Sequence, residues 1–207
     1  MKKFELTSET KINIFGKKLF RIKALISFGN VEAGETGGWV EKEENVNQSG
    51  DAWVFGNAEV FGNARVSGNA RVFDNARVFG NARVSDNARV SGNARVFDNA
   101  WVSGNAWVFG NARVFGNAEV FDNAWVSGNA WVSGNADYAT IHGFGTQFRT
   151  TTFFRCKDKQ VKVSCGCFYG TIPEFREQVK NTRKGKIAEE YLMIADLMEK
   201  HFAEEAK

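Results

Sequence analysis

Small apolar residues recur every six positions between about residues 48 and 140. Alanine keeps this period from Ala52 to Ala136, and valine keeps it from Val54 to Val132. A six-residue period fits neither a helix of about 3.6 residues per turn nor a plain alternating strand. Alternation puts Ala and Val of each Ala-x-Val-x unit on one face, and the following Gly-Asn or Asp-Asn pair tolerates a left-handed corner. Each hexapeptide is therefore predicted to form a short strand and a turn.

Three such corners close one coil, so the fifteen hexapeptides predict a three-sided parallel solenoid of about five coils. Stacking then places valine on valine and alanine on alanine, and asparagine side chains form ladders along the axis. The repeated unit resembles the hexapeptide-repeat family of left-handed parallel β-helices, and this resemblance alone implies the left hand. The expected fold class is mainly β, with the β-helix occupying residues 48–140.

A solenoid leaves open sheet edges at both ends, so both ends need caps. Residues 1–47 are predicted to form an N-terminal β cap. Ile12 and Ile14 alternate, Gly16-Lys17 turns the chain, and apolar residues continue at period two from Phe20. The next stretch, AGETGGWVEKEENVNQSGDAWV, resembles the N-terminal region of bacterial hexapeptide-repeat proteins of the acetyltransferase type. That resemblance supports the capping role.

Residues 141–207 have a different pattern and are predicted to form a ββαα module. Thr150–Cys156 and Val161–Cys167 are typical of a hairpin. Thr171-Ile-Pro-Glu174 has capping-box spacing and predicts a helix to about residue 181. A second helix after Gly185 carries one apolar stripe, formed by Ile187, Tyr191, Ile194, Ala195, Met198 and Phe202. The Cys-Gly-Cys-Phe-Tyr-Gly-Thr segment with this helical tail resembles a small domain of phage and prophage proteins.

The net charge of +3 is spread evenly along the chain, and no segment has the basic excess that usually supports phosphate binding. The sequence also shows no signal peptide and no membrane span, and its three cysteines make no disulfide framework. These features predict a cytoplasmic protein without a membrane partner, and they make nucleic acid a less favoured partner.

Resemblance to hexapeptide-repeat proteins implies acyl or acetyl transfer, which in that family uses a histidine placed between neighbouring columns. The repeat here contains no histidine; His142 follows it and His201 lies in the final helix. A general base must lie beside its nucleophile, so we expect no enzyme, with a divergent acyltransferase as the alternative. Cys156, Cys165 and Cys167 are interpreted as buried apolar thiols rather than zinc ligands. The aspartates at corner positions are interpreted as turn residues, and we expect neither cofactor nor metal.

The outward positions sort into three sides. The first carries Trp53, Arg71, Arg89, Trp107 and Trp125 beside Phe55, Phe73, Ser91, Phe109 and Ser127. The second carries Glu59, Arg77, Arg95, Arg113 and Trp131 beside Phe61, Phe79, Phe97, Phe115 and Ser133. The third carries Arg65, Arg83, Trp101, Glu119 and Asp137 beside Ser67, Ser85, Ser103 and Phe121.

Two interpretations of these ladders stay open. Aromatic and arginine ladders stabilise flat sheets by themselves, or they become covered by the C-terminal helices or a second copy of the chain. Alternatively, they bind a macromolecule, because aromatic and arginine residues are enriched at interfaces and also suit single-stranded nucleic acid or a sugar polymer. The predicted binding residues are Phe61, Phe79, Phe97, Phe115, Arg77, Arg95, Arg113, Trp107, Trp125 and Trp131.

The leading hypothesis is a non-catalytic binding or scaffold protein. Its partner is expected to be another protein, or the chain itself in a dimer or trimer. The phage-like C-terminal segment extends this hypothesis to a phage- or prophage-encoded inhibitor of a host enzyme or defence complex. A nucleic-acid-binding protein is the second alternative, after the acyltransferase.

Overall fold

An antiparallel hairpin opens the chain in the computed structural model, which describes residues 2–203. Its strands are β1 (Phe4–Ile12) and β2 (Lys18–Ala24). The next strand, β3 (Thr36–Val40), pairs antiparallel with β2 on one edge. On its other edge it pairs parallel with Glu59–Val60, the first strand of the second side. A 3-10 turn at Glu43–Asn45 leads into the column. The hairpin therefore extends one sheet of the column, as the predicted N-terminal β cap requires.

Each hexapeptide of the column forms a two-residue strand followed by a corner. The strands are β4 (Trp53–Val54), β5 (Glu59–Val60), β6 (Arg65–Val66), β7 (Arg71–Val72), β8 (Arg77–Val78), β9 (Arg83–Val84), β10 (Arg89–Val90), β11 (Arg95–Val96), β12 (Trp101–Val102), β13 (Trp107–Val108), β14 (Arg113–Val114), β15 (Glu119–Val120), β16 (Trp125–Val126) and β17 (Trp131–Val132).

Parallel pairing sorts these strands into the three predicted sides. The first side has the order β16-β13-β10-β7-β4, the third has β15-β12-β9-β6, and the second continues from the hairpin as β3-β5-β8-β11-β14-β17. Register is strict: Val90 lies between Val72 and Val108, and Arg89 lies between Arg71 and Trp107. The predicted solenoid of about five coils is confirmed.

Alanine and valine fill the interior of the column. From Ala52 to Val132 these side chains are at most 1% exposed. Full burial of a valine side chain stabilises the fold by roughly 1.5–3 kcal/mol, so the repeated valines form one continuous core. Small alanines allow the three sheets to approach, since a narrow triangular interior has no room for longer side chains.

The corners use left-handed backbone, as the sequence predicts. Asp74, Asp86, Asp98 and Asp122 have φ between 57° and 60° where glycine otherwise stands. Their carboxylates also cap the next coil; for example, the Gly92 N–H donates to Asp74 Oδ2 at 3.0 Å. Asparagine ladders bond along the axis, with Nδ2-to-Oδ1 distances of 3.0–3.4 Å. The aspartates are turn residues, which confirms their interpretation.

The column has a polarity that its caps match. Backbone N–H groups of one coil donate to carbonyls of the next, as Arg77 N does to Ala94 O at 2.9 Å. The N-terminal end therefore presents free carbonyl groups. Lys3 Nζ donates to the carbonyls of Gly50 and Ala52, at 3.1 and 2.9 Å. Asn45 Nδ2 donates in the same way to Gly62 O and Ala64 O, at 3.2 and 2.9 Å.

The C-terminal end presents free N–H groups and is capped by acceptors. Trp125 N–H donates to Thr152 Oγ1 at 3.0 Å, and Glu119 N–H donates to Asn135 Oδ1 at 2.8 Å. Ser133 N–H donates to Asp137 Oδ2 at 2.8 Å. Asp137 lies in a 3-10 turn at Asn135–Asp137 rather than in a strand, so its expected place in the third ladder is wrong. It ends the column instead.

Four antiparallel strands and two helices follow the column. The strands are β18 (Tyr138–Phe144), β19 (Arg149–Arg155), β20 (Val161–Cys165) and β21 (Phe168–Thr171), and the helices are α1 (Ile172–Thr182) and α2 (Gly185–Phe202). The predicted hairpin and helices are present, together with two strands, β18 and β21, that the sequence analysis missed. The capping box is also present: the Thr171 N–H donates to Glu174 Oε2 at 2.6 Å. The end of the predicted third segment, residues 204–207, lies outside the described residues.

Strand β19 joins this module to the column because its successive residues face opposite ways. Phe154 packs into the core of the column together with Tyr138 and Cys156. Phe153 packs against α1 and α2 in a second apolar cluster, where Ile194 and Met198 of the predicted stripe also lie. None of the helices among residues 2–203 is long and apolar enough to cross a membrane.

Candidate binding surfaces of the column

Four phenylalanines stack along the second side. Ring centroids of Phe61, Phe79, Phe97 and Phe115 follow one another at 5.0, 5.0 and 5.1 Å, with planes within 6° of parallel. Phe15, at the tip of the N-terminal hairpin, packs on the rings of Phe61 and Phe79 at 5.4 and 5.2 Å. The hairpin therefore covers the first half of the strip.

Two aromatic residues expected on the outer surface are buried. Phe61 is only 5% exposed and packs in a cluster with Leu19 and Trp39. Trp53 is fully buried against Phe4 and Phe28 at the N-terminal end of the column. The prediction that Phe61 is a contact residue is therefore wrong. The segment that covers Phe61 is distant in sequence, so the repeat alone does not indicate its burial.

The arginines of the second side differ in their surroundings. Arg77 Nε forms an ion pair with Glu59 at 3.1 Å, and Lys11 reaches the same carboxylate at 2.8 Å. The Arg113 guanidinium lies 4.8 Å from the ring centroid of Trp131. Arg95 lies between Arg77 and Arg113, and its pKa is lowered by burial and then by these two neighbouring cations. On this side, Arg95 is therefore the arginine whose positive charge is least offset by a carboxylate or an aromatic ring.

Arginine occupies all six outward strand positions of two successive coils. We call Arg65, Arg71, Arg77, Arg83, Arg89 and Arg95 the arginine girdle. Strand register stacks them in pairs, with Arg65 on Arg83, Arg71 on Arg89 and Arg77 on Arg95. Stacked like charges destabilise a sheet by several tenths of a kcal/mol per pair. The girdle therefore makes the sheets less stable than neutral ladders would.

Acidic groups of the column leave most of the girdle unpaired. Within residues 2–203, Arg77 is the only member that has a carboxylate within 4.0 Å. The carboxylates of Asp74, Asp86 and Asp98 accept backbone N–H groups of glycine one coil further on, at 3.0–3.3 Å. Their role at the corners thus keeps them out of ion pairs with the girdle.

The third side forms a wide cleft beside two girdle arginines. A cleft of ≈ 680 Å³ lies beside Arg65, Arg83 and Trp101 and reaches Glu43 and Glu44 near the N-terminal cap. Trp101 is 41% exposed, and its indole N–H donates to Ser85 Oγ at 3.0 Å, which fixes the ring beside the arginine pair. Trp101 was not among the predicted binding residues.

The first side repeats this arrangement on a smaller scale. Arg71 and Arg89 line a cleft of ≈ 310 Å³ with Phe55 and Phe73. Beyond it, the Trp107 ring packs against Phe109 at 4.7 Å and meets Trp125 edge to face at 5.5 Å. The Trp107 indole N–H donates to Ser91 Oγ at 3.0 Å. The three sides therefore present paired arginines next to ordered aromatic rings.

The structure brings the predicted residues of the second side together but separates them from Trp107 and Trp125, which lie on the first side. Four of the six girdle arginines, Arg65, Arg71, Arg83 and Arg89, were not predicted as binding surface, and neither was Trp101 beside them. The signal was available: arginine stands at six successive hexapeptides. This run of arginines is recognisable only when outward residues are followed around successive coils, and not when they are compared along one side of the column.

The histidine and cysteines considered for catalysis or metal binding lie away from the girdle. His142 is exposed in β18, with Nδ1 3.1 Å from Thr150 Oγ1. Cys156 is buried in the core of the column, and burial raises the pKa of its thiol to about 11. Cys165 is half-buried, whereas Cys167 is exposed at the β20–β21 turn. The expectation that Cys167 is buried is wrong, since β20 ends at Cys165 and alternation no longer applies.

Fold and repeat together make this chain a β-solenoid repeat protein. Five overlapping segments, 64–76, 70–86, 76–90, 82–96 and 88–104, match the family model described as YdcK beta solenoid repeat. The matched part of the column contains the whole arginine girdle. No curated protein matches the chain.

Proposed function

We propose that the chain is a non-catalytic binding scaffold whose arginine girdle docks an acidic surface of a protein partner. The observation that carries this proposal is the lack of ion pairs: among the described residues, five of the six girdle arginines have no carboxylate within 4.0 Å. The paired strands of the column fix the spacing of the arginine backbones, so little backbone entropy is lost when a partner binds.

The surroundings of the girdle favour a protein interface. Charged contacts gain strength when neighbouring apolar groups exclude water, and arginine with aromatic residues dominates the energetics of many interfaces. Phe73, Phe79 and Phe97 flank the girdle and are half-buried. Carboxylates of a partner would also remove the repulsion between stacked guanidinium groups.

A protein is favoured over nucleic acid because of the charges between the arginine rows. Asp74, Asp86 and Asp98 stand at the corners between neighbouring sides, so a continuous phosphate backbone crossing from side to side would meet acidic groups. Separate acidic side chains of a protein can contact the arginines and avoid those corners. The low net charge of +3 agrees with this choice.

Two finer assignments belong to the same proposal. The six-residue period supports a place among left-handed hexapeptide-repeat β-helices, without their acyl-transfer chemistry, because the repeat supplies no histidine. The resemblance of the C-terminal segment to phage and prophage domains supports a phage- or prophage-encoded inhibitor of a host enzyme or defence complex.

Affinity capture from a bacterial extract tests the proposal, with three tagged proteins compared side by side. They are the wild type, a charge-reversed variant (Arg65→Glu with Arg83→Glu and Arg89→Glu) and a charge-retaining variant with lysine at the same positions. Far-UV circular dichroism and thermal unfolding check that all three fold. Nuclease treatment of the extract distinguishes a protein partner from one held through nucleic acid.

The expected result is a partner captured by the wild type and the lysine variant, lost from the glutamate variant and lost at about 0.5 M NaCl. Capture that survives charge reversal would show that the girdle has only a structural role. Capture that disappears after nuclease treatment would establish the nucleic-acid alternative instead.

A further inference from the structure

A second cleft lies in the C-terminal module, and it is separate in structure from the girdle. It occupies ≈ 470 Å³ between the β18–β19 turn, the β20–β21 turn and the C-terminal half of α1. Small-molecule sites commonly measure about 300–1,000 Å³. The volume therefore suits a ligand of roughly the size of a substituted aromatic ring.

The charged groups of this cleft are all cationic. Arg149 enters it from the start of β19 and Arg183 from the end of α1, and no aspartate or glutamate is among its lining residues. Neither arginine has a carboxylate within 4.0 Å in the described part of the chain. Both guanidinium groups lie close enough to Tyr191 to oppose the rise in its pKa that burial causes. Because both arginines line this one cleft, the two cations face a common space.

The backbone at Gly166 passes close to the Arg149 guanidinium. Gly166 has φ of +60°, and a Cβ atom at this position would collide with the Arg149 guanidinium. On the opposite wall, Arg183 Nη1 donates to Thr182 O at 3.3 Å, and the Tyr191 hydroxyl donates to Phe144 O at 3.2 Å. These two hydrogen bonds orient Arg183 and Tyr191 at the edge of the cleft.

The remaining walls combine aromatic and neutral polar groups. Phe168 and Phe175 lie together, with ring centroids 5.4 Å apart, and Phe175 is buried. Gln178 and Thr182 add neutral hydrogen-bonding groups from α1. An apolar wall next to two arginines matches a molecule with an anionic group on an aromatic or similarly apolar body.

We propose that this cleft binds a small organic anion, whose carboxylate or phosphate group is held between Arg149 and Arg183 and whose apolar body packs on Phe168 and Phe175. The two arginines offer planar donor pairs to either anion. Cys167 lines the same cleft and is exposed, so a bound ligand will shield its thiol.

Binding is measured on the full chain by amide chemical shifts and isothermal titration, with phenyl phosphate, benzoate, inorganic phosphate and benzyl alcohol as probes. We expect phenyl phosphate or benzoate to bind with a Kd below about 1 mM and to shift the amides of Arg149, Gly166 and Arg183. The tighter of the two identifies the anionic group. Inorganic phosphate, which lacks the apolar body, should bind more weakly, and neutral benzyl alcohol weakest.

Variants and a thiol readout complete the test. Arg149→Gln and Arg183→Gln should each weaken binding by roughly tenfold. Lys180→Gln, an equal loss of charge on an exposed residue of α1 outside the cleft, should leave the Kd unchanged. Saturating ligand should slow alkylation of Cys167 by iodoacetamide. The proposal is overturned if no anion binds, if benzyl alcohol binds as tightly as the anions, or if Lys180→Gln weakens binding as much as the arginine variants.

Discussion

Replacing Thr152 by valine tests how the column ends. Thr152 is fully buried in β19, and its Oγ1 accepts the Trp125 N–H at 3.0 Å. Valine keeps the shape of the side chain but provides no acceptor, so the partly buried N–H of the last coil on the first side loses its partner. Such a loss costs about 1–3 kcal/mol.

The neighbouring residue is a matched control. Thr151 is also buried, but its hydroxyl donates to Cys165 Sγ at 3.1 Å, and sulfur is a weak acceptor that needs no donor. Thr151→Val should therefore cost less than about 1 kcal/mol. Thr152→Ser retains the acceptor and should lose only the contribution of one methyl group, about 0.8 kcal/mol.

Native-state hydrogen exchange is the suitable assay, because long repeat arrays need not unfold as one unit. In Thr152→Val, the amide of Trp125 should exchange roughly 5- to 150-fold faster than in the wild type, while the amide of Arg89 in a middle coil should change little. Equal acceleration in Thr151→Val and Thr152→Val, or none in either, would refute the view that acceptor side chains cap this end.

Three further predictions concern the corners, the buried lysine and the thiols. Gly68→Ala should lower the thermal midpoint of unfolding more than Gly56→Ala. Both positions have positive φ, but only a Cβ at position 68 would meet backbone atoms, at 2.8 Å from Asp86 N. Equal losses would mean that the close stacking of corners does not contribute to stability. Burial lowers the pKa of Lys3 to about 8 from 10.5, so between these pH values the unfolded chain binds more protons than the folded one. The free energy of unfolding of the wild type relative to Lys3→Met should then rise between pH 8 and pH 10.5, by up to about 3 kcal/mol, and a flat or falling difference in urea titrations would contradict this. Iodoacetamide at pH 8 should modify Cys167 first and Cys156 only after unfolding, because Cys156 is buried with a pKa raised to about 11; mass spectrometry that finds equal rates would place Cys156 outside the core.

The column was predictable because its information is local. Ala, Val, Asn and the Gly or Asp at each corner specify inside, outside and turn within every hexapeptide, and the period fixes which residues stack. The ladders of the first and second sides follow directly, as the register of Arg89 with Arg71 and Trp107 shows.

The ends of the column were less predictable, because they depend on contacts between distant segments. Nothing in the local sequence indicates that Phe15 packs on Phe61, or that Lys3 reaches the carbonyl of Ala52. The short strand β21 (Phe168–Thr171) gave too weak a pattern to be recognised. Its formation depends on pairing with β20 rather than on its own residues.

The candidate surface was predicted only in part for a related reason. Outward residues were compared along each side, which emphasises the phenylalanine stack, whereas the girdle runs around the column. Its charge also becomes meaningful only with the structure, since the four corner aspartates offset part of the arginine charge in composition but form no ion pairs with the girdle among the described residues.

The most direct test of the scaffold proposal is a titration of the captured partner, once isolated, against the wild type and against the lysine and glutamate variants of Arg65, Arg83 and Arg89, at low and moderate salt. We expect lysine to retain most of the affinity, glutamate to weaken binding by roughly 100-fold or more, and wild-type affinity to fall steeply as salt rises. An affinity that is the same for all three proteins and independent of salt would contradict the role of the girdle.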